Sequence, residues 1–235
     1  MQEKRIQTKV GRRILTTAWD EIGGLFPVAR LSPAGHAYHP PTRSNSIVKR
    51  GSEMPAFDHV EWSERIAAVT AEAYGVDGIS AIERSIGGLL RIVREQIDLE
   101  VVFVGEFAFG RRIFRHVAAR DDDAIIEVGQ SHEIDKTICQ RIVDGRMPNV
   151  MESVARVRMQ YGLPPEYGVL GAHIGVPVRF ADGGLYGVLC GFSLEARDHL
   201  GDRDVKRMEM AANAAARLIA QARGLDVDQA AEALN

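Results

Sequence analysis

The sequence predicts an α+β domain with a central, largely antiparallel six-stranded sheet, terminal helices packed on one face and a covering helix with loops over a pocket on the other. Two apolar runs, 173–180 and 185–193, flank the connection DGG at 182–184. Asp-Gly between such runs is a strong hairpin signal, because glycine accepts the positive φ of a primed turn. Apolar stripes at helical spacing over 82–97 and 202–222 bracket the predicted strands.

The composition is that of a globular protein with an uneven charge. The 235 residues are 46 % hydrophobic and 26 % charged, which leaves room for one domain of about 150 residues and an additional segment. Residues 1–50 carry nine Lys and Arg against three acids, so the net charge of −3 divides into +6 there and −9 in the rest. An acidic body with a basic arm is not typical of a nucleic-acid-binding domain, so no nucleic-acid partner is expected.

The expected location is the cytoplasm, with no membrane partner. The chain lacks a run of 18 apolar residues, so no transmembrane helix is predicted. Arg12 and Arg13 resemble the start of an export signal, but Asp20 and Glu21 follow where the signal needs an apolar core. Two cysteines are too few for a disulfide scaffold.

The chain is predicted to divide near residue 80. The segment 31–55 is rich in Pro, Ser, Gly and Arg and buries too little apolar surface to offset its ordering entropy. It therefore favours a linker or disordered arm, with short helices over 6–28 and 57–75 as further options. The predicted units are a basic, partly disordered N-terminal extension, a folded domain and a C-terminal tail, with bounds 1–79, 80–224 and 225–235.

The first half of the domain is predicted as a helix followed by three strands. Ser80 and Glu83 have capping-box spacing at the start of the helix. The run 99–109 predicts a strand, and 112–118 its hairpin partner. A short strand is expected over 125–128, after a loop of three aspartates.

The second half is predicted to begin with the covering helix. This helix runs over 135–143, with Asp135 as its cap and Gly145 as its C-terminal stop. A short strand over 147–151 and a weak helix over 153–161 lead to the central hairpin. The long helix after the hairpin completes the order of elements.

From strand 99–109 onward the chain resembles a GAF domain. The resemblance extends over about 140 residues, 82–223, and is most specific at 171–193. The matching segments, in chain order, are LEVVFVGEF at 99–107, RRIFRHV at 111–117, ICQRIVDGRMPNV at 138–150, GAHIGVPVRFADGGLYGVLCGFS at 171–193 and GDRDVKRMEMAANAAARLIA at 201–220.

The resemblance implies a sensory and regulatory role in signal transduction. GAF domains bind small molecules or pigments between sheet and covering helix and pass the occupancy on through their terminal helices, commonly as dimers. A small-molecule ligand, a homodimer and a downstream signalling protein are the partners it implies. Haem or bilin is a possible cofactor but is not indicated: Gln140 follows Cys139 where bilin-binding relatives commonly have His, and no two histidines have metal-ligand spacing. The ligand and any cofactor therefore stay unknown, and no metal site is predicted.

The candidate pocket combines residues of the strands and the covering helix. Cys139 lies on the apolar face of that helix, whereas Cys190 is expected in the core. Among the three arginines Arg112, Arg115 and Arg141, the last two could approach an anionic ligand or lie as solvated surface charges. The candidate pocket residues are Phe103, Arg115, Cys139, Ile142, Tyr167, His173 and Val176.

Two alternatives to a sensor stay open. GAF-fold reductases of free methionine sulfoxide suggest a thiol enzyme with Cys139 as nucleophile, but both cysteines fall inside predicted regular elements, and a thiol without a resolving partner lacks the second redox step. No catalytic residue is assigned, and the protein is not expected to be an enzyme. The other alternative is a structural dimerisation domain whose pocket is collapsed and empty.

Overall fold

The computed structural model describes residues 58–73, 79–120 and 126–225. The helix predicted over 6–28, the linker over 31–55 and nearly all of the predicted tail lie outside these residues. Among the described helices, none is long and apolar enough to cross a membrane.

The described chain combines two long helices, three shorter ones and the strands of one sheet. A 3₁₀ turn, Ala71–Ala73, follows the first helix, and others occur at Ile134–Lys136 and Pro165–Val169. The helices are α1 (His59–Thr70), α2 (Ile79–Ile97), α3 (Ile138–Val143), α4 (Val154–Val157) and α5 (Asp202–Ala222). The strands are β1 (Val101–Ala108), β2 (Arg111–Ala119), β3 (Ser131–Glu133), β4 (Val150–Met151), β5 (His173–Arg179) and β6 (Leu185–Phe192).

The six strands form one antiparallel sheet in the order β3-β2-β1-β6-β5-β4. This confirms the predicted fold class. The central pair, β1 and β6, places Phe103 opposite Cys190, and β5 places His173 opposite Phe192. The predicted central hairpin therefore contributes β6 to the middle of the sheet, with β5 beside it.

Alternation along the strands produces two separate cores. In β1, Val102 and Val104 pack with α2 and α5, whereas Val101 and Phe103 pack with α3. Because α5 is rich in alanine, its backbone can lie close to the sheet. Helix α1 joins the same layer: Trp62 is buried there, and its Nε1 donates a hydrogen bond of 3.2 Å to the carbonyl oxygen of Arg207.

The β5–β6 connection differs from the predicted primed turn. Gly183 has φ of +84°, but neither Ala181 nor Asp182 has a positive φ. The N–H of Gly183 bonds to the carbonyl of Phe180, so the left-handed glycine follows the turn instead of lying at its centre. That is the arrangement of a longer hairpin loop with a glycine bulge, and the register shifts after Val178.

The predicted first residues of two helices and one predicted strand are wrong. Ile79 is already helical, so Ser80 lies inside the first turn of α2 rather than ahead of it. Thr137, not Asp135, caps α3, because its hydroxyl accepts from the N–H of Gln140 at 3.2 Å. Residues 126–128 form a loop, and the third strand is β3 instead, because the pairing partner of Arg112 in the sheet is His132.

Candidate functional site

A small cavity lies between the sheet and α3. Its volume is about 10 Å³, close to the minimum that holds one water molecule. Aromatic side chains dominate its wall, but four of the lining residues carry polar or ionisable groups. The lining residues are Phe103, Arg112, Phe114, Ile138, Cys139, Tyr167, Leu170, His173 and Phe192.

Arg112 is the charged group of this cavity and is only 2 % exposed. Its guanidinium lies 4.0 Å from the ring centroid of Phe114, and Nη1 donates to Cys139 Sγ at 3.3 Å. The aliphatic stem of the arginine crosses Gly105, where a Cβ would approach its Cδ and Cγ to 3.0 Å. The absence of a side chain at Gly105 therefore allows the arginine to lie flat along the sheet.

His132 on β3 holds the other end of the guanidinium. Arg112 Nη2 lies 2.7 Å from His132 Nδ1. Burial, followed by the charges of Arg112 and Arg111, lowers the pKa of His132 to about 4. The imidazole is therefore neutral at neutral pH, and its Nδ1 accepts the arginine hydrogen bond.

The two cysteines meet beneath Arg112. The thiol of Cys190 donates to Cys139 Sγ at 3.6 Å, and both side chains are fully buried. The Cys190 hydrogen bond and then the charge of Arg112 lower the pKa of Cys139 well below its usual range, against desolvation. Burial and the neighbouring sulfur raise the pKa of Cys190. Of the two sulfurs, Cys139 is therefore the one that ionises more readily.

His173 at the start of β5 completes the group. It is 3 % exposed, and its Nδ1 finds no hydrogen-bond partner among the residues that the structure describes. The ligating atoms of Cys139, His173 and Cys190 all lie within 4.8 Å of one another. At Gly175 a Cβ would lie 2.7 Å from Cys190 Sγ, so glycine leaves the space in which the sulfurs approach.

Four of the seven predicted pocket residues line the cavity. They are Phe103, Cys139, Tyr167 and His173. Burial raises the pKa of Tyr167 to about 12, and its hydroxyl donates to the carbonyl of Lys136 at 3.3 Å. Ile142 packs in the same core cluster, one turn along α3 from Cys139. Ligand binding by these residues stays a prediction.

The other two predicted pocket residues lie elsewhere. Val176 packs in the core of α2 and α5 on the opposite face. Arg115 is half-exposed, and its Nε donates to Glu106 at 2.6 Å. Arg141, also considered for an anion, donates to the carbonyl of Tyr161 at 2.6 Å. Of the three arginines noted in the sequence, Arg112 is the one in the cavity wall.

The spacing of residues along the strand could have shown that Arg112 and Arg115 lie on opposite faces of β2. Side chains two residues apart share a face of a strand, so Arg112 shares the inward face of Phe114, and Arg115 does not. The same rule separates Val176 from His173 on β5. The meeting of Cys139 with Cys190 has no such signal, because they belong to different elements 51 residues apart.

An antiparallel six-stranded sheet with its first and last long helices on one face and a covering helix over a cavity on the other defines a GAF-like fold. Solved structures agree. The chain is similar to the GAF domain of the Acinetobacter phosphoenolpyruvate-protein phosphotransferase, with 13 % identity, a TM-score of 0.56 and coverage of 72 % of this chain and 98 % of that one. No protein-family profile matches the sequence, and a search of curated proteins finds no relative.

Pigment-binding proteins share the fold as well. The phycoerythrobilin-bound GAF domain of a cyanobacterial phytochrome has 14 % identity and a TM-score of 0.50, over 72 % of this chain and 97 % of that one. The chromophore-binding domain of the R. palustris bacteriophytochrome RpBphP3 has 11 % identity and a TM-score of 0.53; the match covers 70 % of this chain and 62 % of that one. At sequence identities this low, the matches establish the fold of this chain and nothing more.

A tetrapyrrole does not fit the cavity of this chain. Pockets for organic ligands of drug size measure about 300–1,000 Å³, and the space beside Cys139 is about 10 Å³. Phe103 and Phe114 fill the remainder, with ring centroids 4.7 Å apart in an edge-to-face contact. The arrangement suits an occupant of the size of an ion or a very small molecule.

Proposed function

We propose that this protein is a GAF-type sensory and regulatory module that binds a small ligand between the sheet and α3 and signals through its terminal helices as a homodimer. The observation that carries the proposal is the buried cluster of Arg112, Cys139 and His173 in an otherwise apolar layer. Burial of a charged guanidinium against a sulfur and an imidazole adds little to stability compared with apolar packing. Strongly perturbed ionisable groups of this kind concentrate at functional sites.

The sheet supplies a physical route from the cluster to the helices. Phe103 and Cys190 pack on the α3 side of the sheet, whereas their strand neighbours Val102 and Leu189 pack with α2 and α5. An occupant that displaces the cavity face of β1 and β6 therefore shifts the same strands against the helices. Displacement of packed elements by about an ångström is a common form of such coupling.

Neither alternative is favoured by the site. A purely structural domain gains nothing from the chain of contacts that joins His132, Arg112 and Cys139. A methionine sulfoxide reductase needs a substrate-sized pocket at an accessible sulfur, and Cys139 is fully buried beside a cavity of about 10 Å³. We therefore propose that the chain senses rather than turns over its ligand.

The test is ligand-dependent thermal stability of the full chain against a panel of small anions, metal ions and metabolites. A ligand at 100 times its Kd adds about 2.7 kcal/mol and raises the Tm by several degrees. Because Arg112→Met removes the positive charge beside Cys139, a shift caused by an anion should disappear relative to the ligand-free Tm of the variant, whereas a shift caused by a divalent metal ion should grow. Arg115→Met is the matched control, since it removes an arginine of the same strand that faces away from the cavity, and it should keep the shift.

The same samples test the oligomeric state and the response of the terminal helices to ligand binding. Sedimentation should give a dimer, and hydrogen exchange of α2 and α5 should change when the ligand binds. A panel that never shifts the Tm, or an equal shift in both arginine variants, would contradict ligand binding at this cluster. A monomer at all concentrations would remove the dimer from the proposal.

A further inference from the structure

Three metal-ligating side chains converge at the floor of the cavity. Cys139 comes from α3, His173 from β5 and Cys190 from β6, and their ligating atoms lie within 4.8 Å of one another. The two sulfurs are 3.6 Å apart. All three residues are buried, so water cannot easily compete for a bound ion.

One ring nitrogen of His173 has no partner among the described residues of this arrangement, although the imidazole also hydrogen-bonds to Cys139. His173 Nδ1 is a buried polar atom without a hydrogen-bond partner in the described part of the chain. Leaving such a group unsatisfied is unfavourable because it loses its hydration and gains no partner, and the exceptions in native proteins usually have a functional reason. A metal ion, or a water bound to one in the adjacent cavity, would satisfy it.

We propose that Cys139, Cys190 and His173 form a binding site for a monovalent thiophilic metal ion, Cu(I), held by two thiolate sulfurs and one imidazole nitrogen. This inference rests on the proposed sensory function and names the ligand class of the same cavity. It accounts for a cavity too small for an organic ligand.

The sulfur separation agrees with a shared metal ion. With metal–sulfur bonds of about 2.3 Å, sulfurs 3.6 Å apart subtend an angle of about 100° at the metal. At this angle the two sulfurs occupy one side of the ion, so His173 can approach from a second side and the cavity adjoins a third. Gly175 maintains the approach, because any Cβ there would collide with Cys190 Sγ.

Charge selects a monovalent ion. A site with two thiolates carries a charge of −2, and the Arg112 guanidinium, 3.3 Å from Cys139 Sγ, brings the cluster to −1. Cu(I) therefore makes the buried cluster neutral, whereas Zn(II) leaves an uncompensated positive charge away from water. Thiolate and imidazole ligands also favour Cu(I) among the monovalent ions of biology.

Binding is a ligand exchange with no change of oxidation state. Two Cu–S bonds and one Cu–N bond form as the bonds between copper and the ligands that delivered it break, and the protons on the two sulfurs leave to the buffer. Copper arrives and stays as Cu(I), so no oxidant or reductant is consumed.

The test is a competition between the reduced full-length chain and a chromophoric Cu(I) chelator, without oxygen and with ascorbate present. The expected result is one Cu(I) per chain, bound more tightly than Zn(II). X-ray absorption at the copper edge should give two sulfur ligands and one nitrogen ligand. Cys139→Ala and Cys190→Ala should lower the Cu(I) affinity by more than the roughly 10–100-fold that loss of an outer-shell partner costs.

Two further variants separate a metal site from a general packing effect. Val188→Ala shortens a buried side chain on the same face of β6 and should leave the Cu(I) affinity unchanged. Arg112→Met removes the charge without removing a ligand. It should raise the Zn(II) affinity relative to that for Cu(I) by about tenfold or more, because the two thiolates then balance a divalent ion.

Several outcomes would overturn the site. Copper without sulfur ligands, an equal Cu(I) affinity in the cysteine variants, or a pair that only forms a Cys139–Cys190 disulfide on oxidation and binds no Cu(I) each contradict it. If an organic molecule stabilises the wild type but not Arg112→Met while Cu(I) does not bind, the sensory proposal stands and the metal site fails. If nothing binds at all, both fail.

Discussion

The two faces of the sheet differ in chemistry although the same strands supply both. The face under α2 and α5 is packed with aliphatic and alanine side chains, among them Val102, Val104 and Leu189. The face under α3 buries a guanidinium, two cysteine thiols and an imidazole among aromatic rings. Strand alternation separates the two functions: one face holds the fold together, and the other is free to carry reactive groups at some cost in stability.

The largest expected effect lies on the helix face. Leu89 of α2 is fully buried there, so Leu89→Ala should lower the free energy of unfolding by about 3 kcal/mol through lost burial and a residual cavity. Urea denaturation measures the change. Leu185→Ala, at an exposed position at the start of β6, should cost under about 0.5 kcal/mol. Equal losses in the two variants would contradict the assignment of the main core to this face.

Replacement of a glycine by alanine should lower the stability on the cavity face and raise it on the helix face. Gly175→Ala places a Cβ against Cys190 Sγ and should cost about 1–3 kcal/mol through overpacking. Gly87→Ala in α2 meets nothing within 4 Å and should stabilise the helix by about 0.5–1 kcal/mol. Thermal unfolding of both variants checks the signs, and a stable Gly175→Ala would show that the sulfurs have room to move.

The ionisation of Cys139 tests the electrostatics of the cavity face. Cys190→Ala removes the hydrogen bond and Arg112→Met the positive charge that lower the pKa of Cys139, so each should raise that pKa. Ultraviolet thiolate absorption followed against pH measures it. Arg115→Met should leave the titration unchanged, because its guanidinium pairs with Glu106. Unchanged titration in all three variants would show that burial alone governs this thiol.

The smallest expected effect is the pH dependence contributed by His132. Its pKa of about 4 lies below the ordinary value of about 6.5, so the unfolded chain binds a proton in this window that the folded chain does not. The free energy of unfolding should therefore fall as the pH drops from about 6.5 to 4 and level off below.

A histidine variant isolates this contribution. His132→Gln should flatten the pH profile, with the remaining slope coming from groups such as His116, whose pKa burial also lowers. Identical slopes in the wild type and His132→Gln would contradict the buried, neutral state of His132.

Most of the fold could be predicted from the sequence, but less of the site. The helical stripe over 202–222 matches α5, and the hairpin runs match β5 and β6 within two residues, because both patterns are local. The prediction of a strand over 125–128 failed because the third strand is β3. This strand spans only three residues and forms by pairing with β2, so its own sequence carries no periodic pattern.

The sequence by itself determined the periodicity of each element and thus which residues share a face. That was enough for the antiparallel sheet, the terminal helices and the position of Cys139 on the covering helix. Only the tertiary structure decided that Cys190 and His173 lie beneath Cys139 and that Arg112 lies beside it. The physical reason is that periodicity orients side chains about their own strand or helix, whereas the contacts between elements depend on strand register and on where a six-residue helix crosses the sheet.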